Sequence, residues 1–140
     1  MRPARHVACA DFPCRDVDRQ LYAVPDVDVR ASDIRAVVVS EAAAPRIEDG
    51  YYATGSAVFA ETTLEAFRDA GYPARSIREL VSRGVYFTTA VKCAKTAYGL
   101  ETSTVNACSR LLELEVALFP NARAIILMGD VAIKALCAIA

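Results

Sequence analysis

The stretch IRAVVVSEA, residues 34–42, is a β-branched run whose centre, Ala36 to Val39, has no polar break. A strand with one wet face alternates apolar and polar residues. An unbroken run marks a strand covered on both faces, the usual state of strands in parallel sheets. Two more stretches share this character, VYFTTAV at 85–91 and RAIILMG at 123–129. The runs predict strands over residues 35–41, 84–90 and 123–128.

Helical periods separate these runs. ETTLEAFRDAG (61–71) puts Leu64 and Phe67 on one face and stops at Gly71. SIRELVSRG (76–84) has Ser76 placed as N-cap and Gly84 just past its end. In TSTVNACSRLLELEVALFP (102–120), Val105, Cys108, Leu111, Leu112, Val116 and Phe119 recur at three- and four-residue steps before Pro120. DVAIKALCAIA (130–140) opens with Asp130, whose carboxylate can cap the helix. Strands alternating with helices imply right-handed crossovers. The expected fold is α/β, a three-layer α/β/α sandwich with a short, mainly parallel central sheet, formed by a single domain. The chain stops inside an apolar helix with no cap or polar tail. This leads us to expect that the domain is incomplete at its C-terminus.

Ligands bind such sheets at the carboxyl ends of the strands. The loop over 42–55, the 89–99 segment and Gly129–Asp130 therefore share one rim. Residues 1–33 are irregular, broken by Pro13 and Pro25. The composition, 54% hydrophobic and 24% charged, suits a packed globular core. No apolar run reaches the roughly 18 residues that span a bilayer. The N-terminus lacks the apolar region of a secretory signal, so a cytoplasmic protein is expected. The net charge of −1 confines any nucleic-acid contact to a local basic patch. The five cysteines are Cys9, Cys14, Cys93, Cys108 and Cys137. In a reducing compartment they are open to burial as small apolar residues or to metal or cluster ligation. Cys137 reads as a core residue.

The segment VVVSEAAAPRIEDGYYATG, then YFTTAVKC, then a cysteine 15 residues later, then FPNARAIILMGDVAIKAL, resembles the uracil-DNA glycosylase superfamily in its order. It is most similar to the bacterial and archaeal class that carries a four-cysteine iron–sulfur cluster. That class has Gly-Glu-Ala-Pro-Gly after its first strand, where this chain has Ser40-Glu41-Ala42, with Glu48, Asp49 and Gly55 further on. It has Tyr-Ile-Thr-Asn-Val-Val-Lys-Cys where this chain reads Tyr86 to Cys93. Thr89 stands where the family has the asparagine that reads the uracil edge. Cys9 and Cys14 are separated by four residues where the family has two. The family's later histidine motif has no counterpart, and His6 is the chain's one histidine.

The resemblance implies excision of uracil or another deaminated base from DNA, with damaged DNA as the partner. The base must leave the stack, and a carboxylate must stabilise the cation-like sugar or orient water. It assigns that carboxylate to Glu41. Tyr51 or Tyr52 would stack on the flipped base, and Thr89 would offer it one hydroxyl. Lys92 and Lys95 would meet phosphates. Cys9, Cys14, Cys93 and Cys108 would hold a 4Fe-4S cluster, with zinc as the alternative at the same thiols. Each residue also has a plain structural reading: Glu41 a solvated loop start, the tyrosines a loop closing over the core, Thr89 a strand residue, the lysines a solvated edge. A non-catalytic module that kept the fold and the cysteines is the second functional expectation. A nucleotide- or small-ligand-binding domain is the third.

Overall fold

The computed structural model describes residues 1–53 and 58–140. Gly55 of the expected acidic loop lies outside them. Among the described residues, five strands run in chain order as β1 (Val17–Asp18), β2 (Ala36–Ala42), β3 (Val85–Val91), β4 (Ala94–Lys95) and β5 (Ala124–Leu127). The α-helices are α1 (Val58–Asp69), α2 (Ile77–Ser82), α3 (Thr102–Val116) and α4 (Asp130–Ile139). The central sheet has the order β3-β2-β5, and both pairings are parallel. Val39 of β2 lies opposite Thr88 on one side and Leu127 on the other. The three expected strands are present within a residue or two of their anticipated bounds.

β2 is the middle strand, which is why its run is unbroken. Val37, Val38 and Val39 have almost no exposed surface. The neighbouring β3 shows which helices cover each face, because successive side chains point to opposite sides. Tyr86 packs on Phe119, just beyond α3, with ring centroids 4.6 Å apart. Phe87 packs on Phe67 of α1 at 6.0 Å. So α3 lies on one face and α1 on the other. The crossover from β2 to β3 carries α1 and α2. The return from β3 past β2 to β5 carries α3, and α4 packs beside α3. Both connections being right-handed puts the two helix pairs on opposite faces.

Local signals explain most element ends. The Ser76 hydroxyl accepts from the Glu79 N–H and starts α2. Gly71 and Gly84 both have positive φ, +85° and +95°. The Gly84 carbonyl accepts from the Arg35 and Ala36 N–H groups, which fixes where β2 enters the sheet. Two expectations about α4 need correction. Asp130 makes no capping hydrogen bond; it is the first helical residue and pairs with Lys134 one turn on. Cys137 is exposed, not a core residue. α4 buries Ala132 and Ala135, and two further positions carry Cys137 about 200° round the helix. Among the described residues, no helix is long and apolar enough to cross a membrane.

A Cβ at Gly84 would meet the Asp33 carbonyl oxygen at 2.6 Å, whereas one at Gly71 would meet nothing within 4 Å. Both sites carry the left-handed strain, but only Gly84 carries a backbone clash as well. We expect Gly71→Ala to destabilise the chain by about 1 kcal/mol and Gly84→Ala by about 3 kcal/mol. Urea denaturation of the two variants checks this; equal midpoints would show that β2 enters the sheet with slack.

Candidate functional site

β2, β3 and β5 are parallel, so their carboxyl ends open on one side. A cavity of about 1100 Å³ lies there, lined by Ser40, Glu41, Tyr51, Tyr52, Thr89 and Lys95 among others. Met128 and Gly129, just past β5, also line it. This is the rim on which ligands bind in open parallel sheets. Five residues assigned by the resemblance, Glu41, Tyr51, Tyr52, Thr89 and Lys95, thus share one cavity although 54 positions of sequence separate the first from the last.

Each has a definite setting. Glu41 forms an ion pair with Lys95, both partly exposed. Lys95 also donates to the Tyr98 carbonyl at 2.8 Å and lies 5.4 Å from the centre of that ring. The Thr89 hydroxyl donates to the Val91 carbonyl at 2.8 Å, leaving oxygen lone pairs as what it can offer. The Tyr52 phenol donates to the Phe87 carbonyl at 2.7 Å and accepts from the Phe87 N–H at 2.8 Å. At Phe87 one side chain thereby satisfies the outer edge of β3, which among the described residues has no strand beyond it. Burial raises the Tyr52 phenol far above its ordinary value. Tyr51 packs its ring against Phe59 and Phe87, each at 5.1 Å.

Lys92 is the correction among the assigned residues. It has no exposed surface, so neither a phosphate contact nor a solvated edge describes it. β3 sends its even-numbered side chains toward α3, and Lys92 continues that direction. There its ammonium pairs with Glu115, which is equally buried. It also donates to the Thr88 hydroxyl at 2.8 Å and to the Thr89 carbonyl at 2.6 Å. The other Glu115 oxygen accepts from the Tyr86 phenol at 2.6 Å and from Thr88 at 2.8 Å. Glu115 was missed in the sequence, yet it falls three residues after Leu112, on the helix face that includes Cys108. A carboxylate at that step of an apolar face is the signal that finds it.

A second cavity of about 370 Å³ is bordered by Cys9, Cys14, Cys93 and Cys108, with Cys137 elsewhere. Cys93 and Cys108 are buried. Burial, then the neighbouring Cys108, Cys9 and Cys14, push the Cys93 thiol up to about 11. Burial also raises Cys108, opposed by the Lys92 N–H that donates to its sulfur at 3.2 Å. Among the described residues, no three His, Cys, Asp or Glu side chains are grouped as holders of a metal ion. Four soft thiol donors border this space, with Arg19 and Arg110 also at its border, and such donors suit an iron–sulfur cluster or zinc alike.

Cys9 and Cys14 reach this place because the N-terminal segment is tied down. β1 pairs antiparallel with β4, Val17 opposite Lys95 and Asp18 opposite Ala94. The Ala23 N–H donates to the Lys92 carbonyl at 2.7 Å, and the Cys9 N–H to the Tyr22 phenol at 3.1 Å. Asp16 accepts from the Thr104 hydroxyl and from the Glu101 N–H at 2.6 Å, at the start of α3. A search of known protein-family models and one of curated proteins each find no match to this chain.

Burial alone would raise the Asp16 carboxyl, but the Thr104 and Glu101 hydrogen bonds outweigh it and hold the group below its ordinary value. A depressed carboxyl contributes stability above its unfolded pKa of about 3.9 and loses it as pH falls through the lower folded value. The N-terminal segment should therefore be held fully at pH 6 and loosen in acid below about pH 4. Amide exchange of residues 14–18 across this range reads it. Asp16→Asn should remove the acid-dependent step; a step that survives the substitution would assign the loosening to another group.

Proposed function

We propose that this chain is a DNA-repair glycosylase-like domain that hydrolyses the N-glycosidic bond of uracil or another deaminated base in DNA. The observation that supports it is the meeting of a carboxylate, an aromatic ring, a hydroxyl and a lysine at the carboxyl ends of one parallel sheet. The uracil-DNA glycosylase resemblance assigns roles to the same side chains. Glu41 orients the attacking water and faces the positive charge that develops on the sugar as the bond to the base breaks. Tyr51 stacks on the flipped base, since the Tyr52 phenol is engaged by β3. Thr89 presents its oxygen to the base edge, a weaker reader than an amide with its paired donor and acceptor. Lys95 contacts a phosphate and in doing so leaves Glu41 free of its ion pair. The protein would act in the cytoplasm.

We further propose that Cys9, Cys14, Cys93 and Cys108 hold a 4Fe-4S cluster. When bound, it supplies a structural cross-link and takes no part in bond cleavage. What the chain's own residues do is join the N-terminal segment to the end of β3.

A specific observation favours a second reading, a nucleic-acid-binding module without catalysis. The Glu41 carboxylate is already paired with Lys95, and the Thr89 hydroxyl proton is already donated to Val91. Uracil-containing single-stranded DNA, followed by alkali to cleave abasic sites, separates the two. We expect cleavage by the parent and a loss of about 100-fold or more in Glu41→Gln, the range for removing a positioned acid or base. Binding without cleavage by the parent would overturn the enzyme reading in favour of the module.

Protein purified without oxygen should be brown, absorbing toward the blue end of the visible through thiolate-to-iron charge transfer. Cys93→Ala should bleach it, and Cys137→Ala should not. A colourless protein carrying zinc at the same thiols would overturn the cluster assignment.

A further inference from the structure

Among the described residues, Lys92 and Glu115 are the charged side chains with no exposed surface. We propose that Lys92 is a positioning residue: anchored on Glu115, it holds the carboxyl end of β3 so that the wall of the large cavity and the Cys108 sulfur keep one fixed relation. The proposal rests on the reading of that cavity as the ligand site.

The geometry is directional in every bond. All three ammonium protons have acceptors: the Glu115 carboxylate, the Thr88 hydroxyl and the Thr89 carbonyl. Thr88 and Thr89 both line the large cavity. The backbone of the same residue makes two further bonds. Its N–H donates to the Cys108 sulfur, and its carbonyl accepts from the N–H of Ala23, which also lines the large cavity. One residue therefore touches the ligand wall, the cysteine cavity and the N-terminal segment. A buried ion pair gains little stability over apolar residues of the same volume. What an apolar pair cannot supply is the bond to the Thr89 carbonyl, which ties the side chain back to the last residues of β3 before the chain turns. The side chain restrains that turn from inside the core. Without it, Lys92 itself keeps only its backbone bonds to Cys108 and Ala23, while residues 89–91 keep their pairing with β2.

The test exchanges the pair for apolar side chains, Lys92→Met with Glu115→Leu, and follows amide hydrogen exchange in the chain without DNA. We expect the Ala23, Ala43 and Lys92 amides to exchange at least about tenfold faster, while Val38 and Val39 in β2 are unchanged. Thr88→Val, which removes the one hydroxyl shared by both ions, should give a smaller rise at the same amides, and it serves if the double variant does not fold. In the same variants, the affinity for uracil-containing single-stranded DNA should fall with the local rise. No local rise, or one uniform rise over all amides, would overturn the proposal and leave the pair as core filling. A local rise in the variants, with a parent chain that binds no DNA, supports the positioning role and sinks the functional reading instead.

Discussion

A lysine and a glutamate, both sealed from water, join the central sheet to its longest helix. Burying two charges is unfavourable unless every proton and lone pair finds a partner. Here Thr88, Thr89 and Tyr86 complete the set, and among the described residues no buried side-chain nitrogen or oxygen lacks a hydrogen-bond partner. Removing one ion alone would strand the other, a loss of about 3–5 kcal/mol. The pair is one of the contacts between α3 and β3, beside the packing of Tyr86 on Phe119. The same helix brings the Cys108 sulfur to the Lys92 N–H and, at its start, meets Asp16 of the N-terminal segment.

The two cavities share a strand end. Thr88 and Thr89 of β3 line the large cavity, the chain then passes through Val91, Lys92 and Cys93 at the cysteines, and it next pairs as β4 with β1. Of residues 88–95, all but Ala90 thus line one of the two cavities or form the tether between them. Edge protection is handled locally. The outer edge of β3 is closed at Phe87 by the Tyr52 phenol, so the loop that roofs the large cavity also serves the sheet. A tyrosine in that position is structural before it is anything else. Tyr51 beside it makes no such pair of backbone bonds, which is the physical ground for giving the two neighbours different roles.

The strands and their parallel arrangement were legible in the chain itself. Val37–Val39, Tyr86–Phe87 and Ile125–Leu127 form runs without polar breaks, and helical periods between them leave little other topology open. The rim was legible for the same reason, since parallel strands end on one side. Ser76 and Gly84 announced the ends of α2. These are local properties: backbone geometry, periodicity and capping act over a few residues, and composition records them. Lys92 was misread because two lysines near a rim look alike in sequence. Only the pleat of β3 and the facing step of α3 decide that Lys95 reaches Glu41 while Lys92 turns inward to Glu115. Cys137 failed likewise, its side of α4 being set by how that helix lies on the sheet. Tertiary structure also decided that four thiols spread over a hundred positions border one space, because that depends on Asp16, β1 and Ala23 holding the N-terminal segment in place. Sequence by itself determines what each short segment prefers to be; which charges are buried, and which distant side chains meet, follows from packing between segments.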